Sequence, residues 1–165
     1  MDNSAVLLLV AAVTLAALAL AGCGQGSTGE DRVPERSAGE TATTDQGVVQ
    51  EAVAFGGLAV PADAEVLGVQ HQSGIDDMYV LAFATPPDSV EAMLTGSGFT
   101  TALTPGREVH QRPVDGLEFG TGDEIVSGQD VLAPGGGRTQ RVNRKVLVDR
   151  ADPDRPVVHW WLFTT

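Results

Sequence analysis

The sequence has few of the residues on which functional assignments usually depend. Among its 165 residues there is one cysteine, Cys23, one lysine, Lys145, and three histidines. A single cysteine excludes an internal disulfide, and the histidines are too far apart in sequence to form a zinc motif. The 10 basic residues are outnumbered by 22 acidic ones, which gives a formal charge of −12. Binding to nucleic acid is disfavoured, because it requires a basic patch that neutralises phosphates.

Motifs for catalysis or phosphate binding are also missing. Ser97 lies between two glycines but lacks the G-x-S-x-G pattern of a nucleophile elbow. The glycines at 135–137 are followed by Arg138 and not by the lysine of a phosphate-binding loop. No calcium-loop pattern is present. The sequence therefore predicts a non-catalytic protein that needs no cofactor or metal.

One enzymatic alternative stays open, because carboxylates are concentrated at two turns. These are Asp76 and Asp77 at one turn, and Asp149, Asp152 and Asp154 at the other. A small hydrolase or metal-binding enzyme could use them together with His71, His110 or His159, provided that at least two of these groups converge in one cleft. Acidic turns are more often simply solvated. His159 shares its strand phase with Val157 and Trp161, which favours a packed, hydrogen-bonded core residue.

The N-terminus is typical of an exported protein. Residues 5–22 are almost wholly apolar and end in small residues, as in a secretory signal. The sequence Leu20-Ala21-Gly22-Cys23 resembles the lipobox of bacterial lipoproteins. That resemblance implies that Cys23 receives a diacylglyceryl group, that residues 1–22 are removed, and that the protein is lipid-anchored at the extracytoplasmic face of the membrane. Acyl chains on Cys23 would also explain why the only thiol lies there.

Two other interpretations of this segment remain. The apolar run of about 18 residues is near the lower limit for an uncleaved transmembrane anchor. It could also be an ordinary export signal followed by a free thiol. The first four residues contain Asp2 and no basic residue, in which the sequence departs from the lipoprotein family.

Composition divides the rest of the chain into a tether and one domain. Residues 24–51 are rich in Gly, Ser, Thr, Glu and Asp, which predicts that 23–51 is a lipidated cysteine followed by a disordered tether. From residue 52 to 165 we expect a single domain. Within it, the segment 104–140 is Gly-rich and irregular, with short strands possible at 115–120 and 123–127.

The domain is predicted to be α+β. Residues 65–72 and 78–84 are β-prone runs joined by a turn, and 144–149 and 157–164 form a second pair. Between the pairs, Asp88 and Glu91 resemble a capping box at the start of a short helix, about 88–96. We expect a small antiparallel sheet, built from hairpins 65–84 and 144–164 and packed on that helix.

Both faces of the central strands require cover, because 78–84 and 157–164 are apolar on both sides. One helix covers one face only. The second face could be covered by the 104–140 segment, by a helix within 48–58, or by another molecule. In the last case Trp160, Trp161 and Tyr79 are candidate residues of a partner-binding face, and the partner could be another cell-envelope protein.

A second resemblance concerns residues 55–165. The patterns P-x-x-A-x-V-L, S-G-I-D and D-x-x-D-P-D are similar to uncharacterised domains of small lipoproteins from high-GC Gram-positive bacteria. The resemblance implies no activity. The function we expect is therefore that of a membrane-anchored lipoprotein whose domain binds or modulates something outside the membrane, with the small hydrolase as the alternative.

Overall fold

The computed structural model describes residues 41–121 and 124–164. Along the chain these residues form two helices and six strands: α1 (Gln46–Gly56), β1 (Glu65–Gln72), β2 (Met78–Ala84), α2 (Pro87–Gly96), β3 (Thr104–Pro105), β4 (Ile125–Leu132), β5 (Val142–Asp149) and β6 (Val157–Phe163). The predicted signal segment, Cys23 and residues 24–40 of the predicted tether lie outside the described residues.

The strands form one antiparallel sheet in the order β1-β2-β6-β5-β4-β3. Both predicted hairpins are present, and they are neighbours because β2 pairs with β6 in register from Met78↔Phe163 to Ala84↔Val157. The α+β class and the packing of a helix on the sheet are confirmed. The strands of the first hairpin have the predicted bounds, because runs of β-branched and aromatic residues end at clear turn signals.

The start of α2 differs from the predicted capping box. Pro86 occupies the N-cap position without a side-chain cap, and Pro87 begins the helix, so Asp88 lies inside the first turn. Proline suits the first helical position, because its fixed φ is helical and its missing N–H would have no partner there. The two prolines thus end β2 and begin the helix at the same point.

A helix within 48–58 was only one of three alternatives for covering the second face; α1 is present but packs on the same face as α2, and the boundary placed at 51 falls inside it. Asp45 caps α1 by accepting hydrogen bonds from the N–H groups of Gly47 and Val48. Val49 and Ala52 pack into the core from this helix. Just before it, Thr43 pairs with Val69 at the outer edge of β1. The predicted disorder of 41–51 is therefore wrong, because regularly spaced small apolar residues give this stretch a face to bury.

Both helices cover the same face of the sheet. That face carries Tyr79, Leu81, Phe83 and Trp160, which pack with residues of α1 and α2 in one core cluster. A second cluster lies on the opposite face, where Val80, Ala82, Leu147 and Trp161 pack against residues from the connection between β3 and β4. The second face is therefore closed by the chain itself, and the 104–140 segment provides the cover.

That connection lies very close to the sheet at Gly68. A Cβ added there would lie 2.7 Å from Cγ1 of Val114, which is closer than real Cβ contacts. Residues 115–120 do not form the strand that the sequence suggested, whereas the second suggested strand is present as the longer β4. Gly136 and Gly137, with φ of 59° and 89°, form the turn between β4 and β5.

Arg144, on β5, makes buried contacts with the ends of both helices. Its side chain is 1% exposed and pairs with both carboxylate oxygens of Asp130 on β4. It also donates hydrogen bonds to the carbonyls of Gly56, Ser97 and Gly98, at the ends of α1 and α2. Because the last carbonyls of a helix lack partners within the helix, this arginine completes the hydrogen bonding of both helix ends.

Candidate functional site

The three residues named as a partner-binding face do not form an accessible surface. Trp160 and Trp161 are both fully buried, and Tyr79 is 3% exposed. Trp160 and Tyr79 lie on the helix face of the sheet, whereas Trp161 lies on the other face. The hypothesis that they present one surface to a partner is wrong, because helices and the 104–121 connection bury them from opposite sides.

The histidines and turn carboxylates of the enzymatic alternative are distributed over the domain. His71 stacks on Tyr79, with ring centroids 4.2 Å apart, and its Nε2 lies 3.5 Å from Oδ1 of Asp77. His159 lies on the opposite face of the sheet, and His110 is exposed on the connection. In the described part of the chain no three His, Cys, Asp or Glu side chains form a group that could hold a metal ion.

His159 is packed as expected, but its hydrogen bonding differs from the expectation. Its ring contacts Phe119 edge-on, at 5.0 Å between centroids, and lies nearly parallel to Trp161. Neither ring nitrogen has a hydrogen-bond partner among the described residues. Burial lowers the pKa of His159 to about 4, although the carboxylate of Asp149 partly offsets this effect. The ring is therefore neutral at physiological pH.

We expect this histidine to make the domain acid-sensitive. In the unfolded chain His159 is protonated at the ordinary pKa of histidine. In the folded chain it is protonated only when the pH approaches 4. The free energy of unfolding should therefore fall as the pH decreases through this window, by about 2 kcal/mol between about pH 7.5 and about pH 5. Urea unfolding at several pH values measures it. His159→Phe should flatten the dependence and His110→Gln should leave it unchanged; an equally steep dependence in His159→Phe would contradict this role.

A cleft of about 340 Å³ opens on the second face, beside Trp161. One side is the hairpin of β1 and β2, and the other is the connection at residues 111–115. Its lining combines amide, charged and apolar side chains: Gln70, Gln72, Met78, Val80, Gln111, Arg112, Pro113, Asp115 and Trp161. The cleft lies where the connection stops covering the sheet.

The wall formed by residues 111–115 is fixed through its backbone by two side chains of the sheet and by one from the connection itself. The indole N–H of Trp161 donates to the carbonyl of Arg112 at 2.7 Å. The N–H of Asp115 donates to Oε1 of Gln70 at 2.9 Å. The guanidinium of Arg107 donates to the carbonyls of Val109 and Gln111 and also lies over the ring of Phe119. An irregular segment held in this way forms a preorganised wall, and such walls are typical of binding sites.

The most informative atom of the cleft is Oε1 of Gln111. It is buried and accepts no hydrogen bond within the described part of the chain. A buried acceptor without a donor costs about 1–3 kcal/mol, so natural structures seldom retain one without a reason. A ligand that brings an N–H or O–H group would supply the missing donor.

Sequence reasoning could have found half of this site. Gln70 and Gln72 alternate with Val69 and His71 on β1, and residues two apart on a strand share a face, so two amides were predictable on one side of the hairpin. Nothing in the sequence predicts that Gln111 lies beside these two glutamines. Its segment has no helix or strand period, and its position depends on side-chain hydrogen bonds from two distant strands, β1 and β6.

Comparisons with known proteins add no assignment. No protein-family description, no curated protein and no solved structure matches the chain. None of the helices in the described residues has the length and apolar character needed to cross a membrane.

Proposed function

We propose that the protein is an exported lipoprotein, anchored through Cys23 at the extracytoplasmic face of the membrane, whose domain binds a small polar ligand in the cleft beside Trp161. The binding is non-catalytic. The observation that carries the binding half of the proposal is the buried, donorless Oε1 of Gln111 in a cleft whose wall is held in place by the sheet.

The chemistry of the lining indicates the class of ligand. The cleft carries three amide side chains, of which that of Gln70 already accepts a hydrogen bond from the N–H of Asp115, and the charges of Arg112 and Asp115 have opposite signs. Its deeper part is apolar, from Met78, Val80 and the buried Trp161. Such a lining matches a molecule with hydroxyl or amide groups and one apolar side.

The anchoring half is supported by sequence. Leu20-Ala21-Gly22-Cys23 ends the apolar run, and the folded domain begins close to Thr43. Residues 24–40 would then connect the lipidated cysteine to the domain. A cleft carried in this way would sample ligands close to the outer surface of the membrane.

Anchoring predicts a clear effect of Cys23→Ser. The variant should lose fatty-acid labelling, accumulate as the longer precursor and change its distribution between membrane and soluble fractions, because the attachment atom is gone. Metabolic labelling of whole cells measures this, with Ser27→Ala as the matched control beside the same site. Equal labelling of Cys23→Ser and the parent protein would contradict lipidation at this residue.

Binding is tested through the stability of the full chain in detergent. The probes are blocked dialanine, acetylated and N-methylamidated, and cellobiose, both uncharged donors. Either one should raise the melting temperature of the parent protein in proportion to its occupancy. Gln111→Leu should be at least as stable as the parent protein without probe, because it removes the buried acceptor, and should gain nothing from either probe.

The matched control is Gln129→Leu, the same change on an exposed strand position. It should respond to the probes as the parent protein does. If neither probe stabilises the parent protein, or if Gln111→Leu responds equally, the proposed binding site is wrong.

A further inference from the structure

The cleft continues into a second depression at the end of the β1–β2 hairpin. The two share Gln72, Met78 and Gln111 as lining residues. The second has a volume of about 470 Å³ and is lined on its other sides by the hairpin loop and the C-terminal residues: Ser73, Gly74, Ile75, Asp76, Phe163 and Thr164. Together they form one trough that is polar at one end and largely apolar at the other.

Ile75 is the most unusual residue of this trough. It is one of two large hydrophobic side chains exposed on the described residues, and nothing in the domain covers it. It lies at the tip of the hairpin, beside the depression that contains Met78 and Phe163. An apolar side chain inserted between them would bury it, and burial of apolar surface favours binding.

From these features we propose that the trough binds an extended peptide segment, an inference that rests on the function proposed above. The amide groups of Gln72 and Gln111 pair with N–H and C=O groups of a peptide backbone, and Oε1 of Gln111 accepts from one backbone N–H. An apolar side chain of the peptide enters the depression beside Ile75, Met78 and Phe163.

A saccharide fits less well. Sugars are held mainly by hydroxyl hydrogen bonds and by contact with the exposed face of an aromatic ring. Trp161, the only aromatic residue that lines the polar cleft, is fully buried beneath it. The apolar depression would also remain empty beside a sugar.

The negative charge of the protein favours some peptides over others. The chain carries a formal charge of −12, and Asp76 lines the apolar end of the trough. Like charges facing each other across an interface are unfavourable and slow association, so acidic peptides are disfavoured relative to basic ones.

The test uses four fluorescein-labelled pools of blocked hexapeptides with mixed uncharged residues around a fixed central pair. The pairs are Leu-Lys, Leu-Glu, Ser-Lys, and Leu-Lys with the two backbone nitrogens methylated. Anisotropy with the full chain in detergent should show the tightest binding for Leu-Lys. Loss of the apolar side chain should weaken binding by about tenfold or more. Leu-Glu should bind more weakly at low salt, and backbone methylation should abolish binding.

Two variants connect binding to the trough. Gln111→Leu should abolish binding of the Leu-Lys pool, and Ile75→Ser should weaken it to the level of the Ser-Lys pool. Gln129→Leu is the matched control and should change nothing. Equal affinity for the methylated pool, or for Gln111→Leu and the parent protein, would overturn the inference.

Cellobiose separates this inference from the proposed function. If it stabilises the parent protein through Gln111 while no peptide pool binds, the cleft is a binding site but the peptide inference is wrong. If cellobiose, blocked dialanine and every pool all fail to bind, both are wrong.

Discussion

Replacing Arg144 by alanine is expected to lower the free energy of unfolding by about 3–5 kcal/mol, which is the usual cost of breaking a buried ion pair by removing one partner. Its guanidinium is buried and lies 2.8 Å from Oδ1 of Asp130 and 2.7 Å from the carbonyl oxygen of Ser97. Alanine would leave that carboxylate without its cation and would leave carbonyls at both helix ends without a donor. Urea unfolding of the full chain measures the loss.

The matched control is Arg155→Ala. Arg155 also forms an ion pair, with Glu65, but both side chains are more than half exposed. Exposed pairs contribute about 0–1 kcal/mol, so this variant should be close to the parent protein. An Arg144→Ala variant that loses no more than Arg155→Ala would show that the helix ends do not depend on Arg144.

Truncating either tryptophan to alanine is expected to cost about 3–5 kcal/mol. Adjacent residues on a strand point to opposite faces, so Trp160 and Trp161 belong to different layers. Trp160 packs edge-on against Phe99 beneath the helices, with 5.6 Å between centroids. Trp161 packs with Val109 and Val114 and also fixes the cleft wall through Arg112. Since the chain itself covers both faces, both variants should be strongly destabilised.

Iodide quenching provides an independent measurement. In Trp160→Phe and Trp161→Phe, which each retain one indole, the remaining fluorescence should be protected from iodide. If Trp161→Ala were as stable as the parent protein and the indole of Trp161 were freely quenched in Trp160→Phe, the second face would be open and the cover formed by residues 104–121 would be wrong.

The parts of the fold that could be predicted are those with a local signal. The strands of the first hairpin were predictable to the residue, because β-prone runs end at the turn signals that begin at Ser73 and near Pro86. For α1 the sequence offered only an alternative, a helix within 48–58 on the wrong face of the sheet, since a stretch with Gly47 and polar neighbours resembles a linker until Val49 and Ala52 are seen to pack.

The path of the segment that covers the second face could not be predicted from the sequence, for a different reason. It has no repeating pattern, and side chains far away in sequence determine its path. Ser127, for example, donates to the carbonyl of Gly106 and accepts from the N–H of Glu108. The same holds for the candidate site. Gln70 and Gln72 belong to a regular strand and could be predicted to share a face, whereas Gln111 belongs to the covering segment and could not be placed beside them.

The central claim is that ligand binds in the cleft, and the two internal methionines test it most directly. Met78 lines both halves of the trough, whereas Met93 is fully buried on α2 at the opposite face of the sheet. The full chain, labelled with ¹³C at the methionine methyl groups, is titrated in detergent with the Leu-Lys peptide pool and followed by NMR. The account predicts a saturable shift of the Met78 methyl signal while the Met93 signal stays in place. A Met78 signal that does not move, or equal movement of both signals, would contradict it.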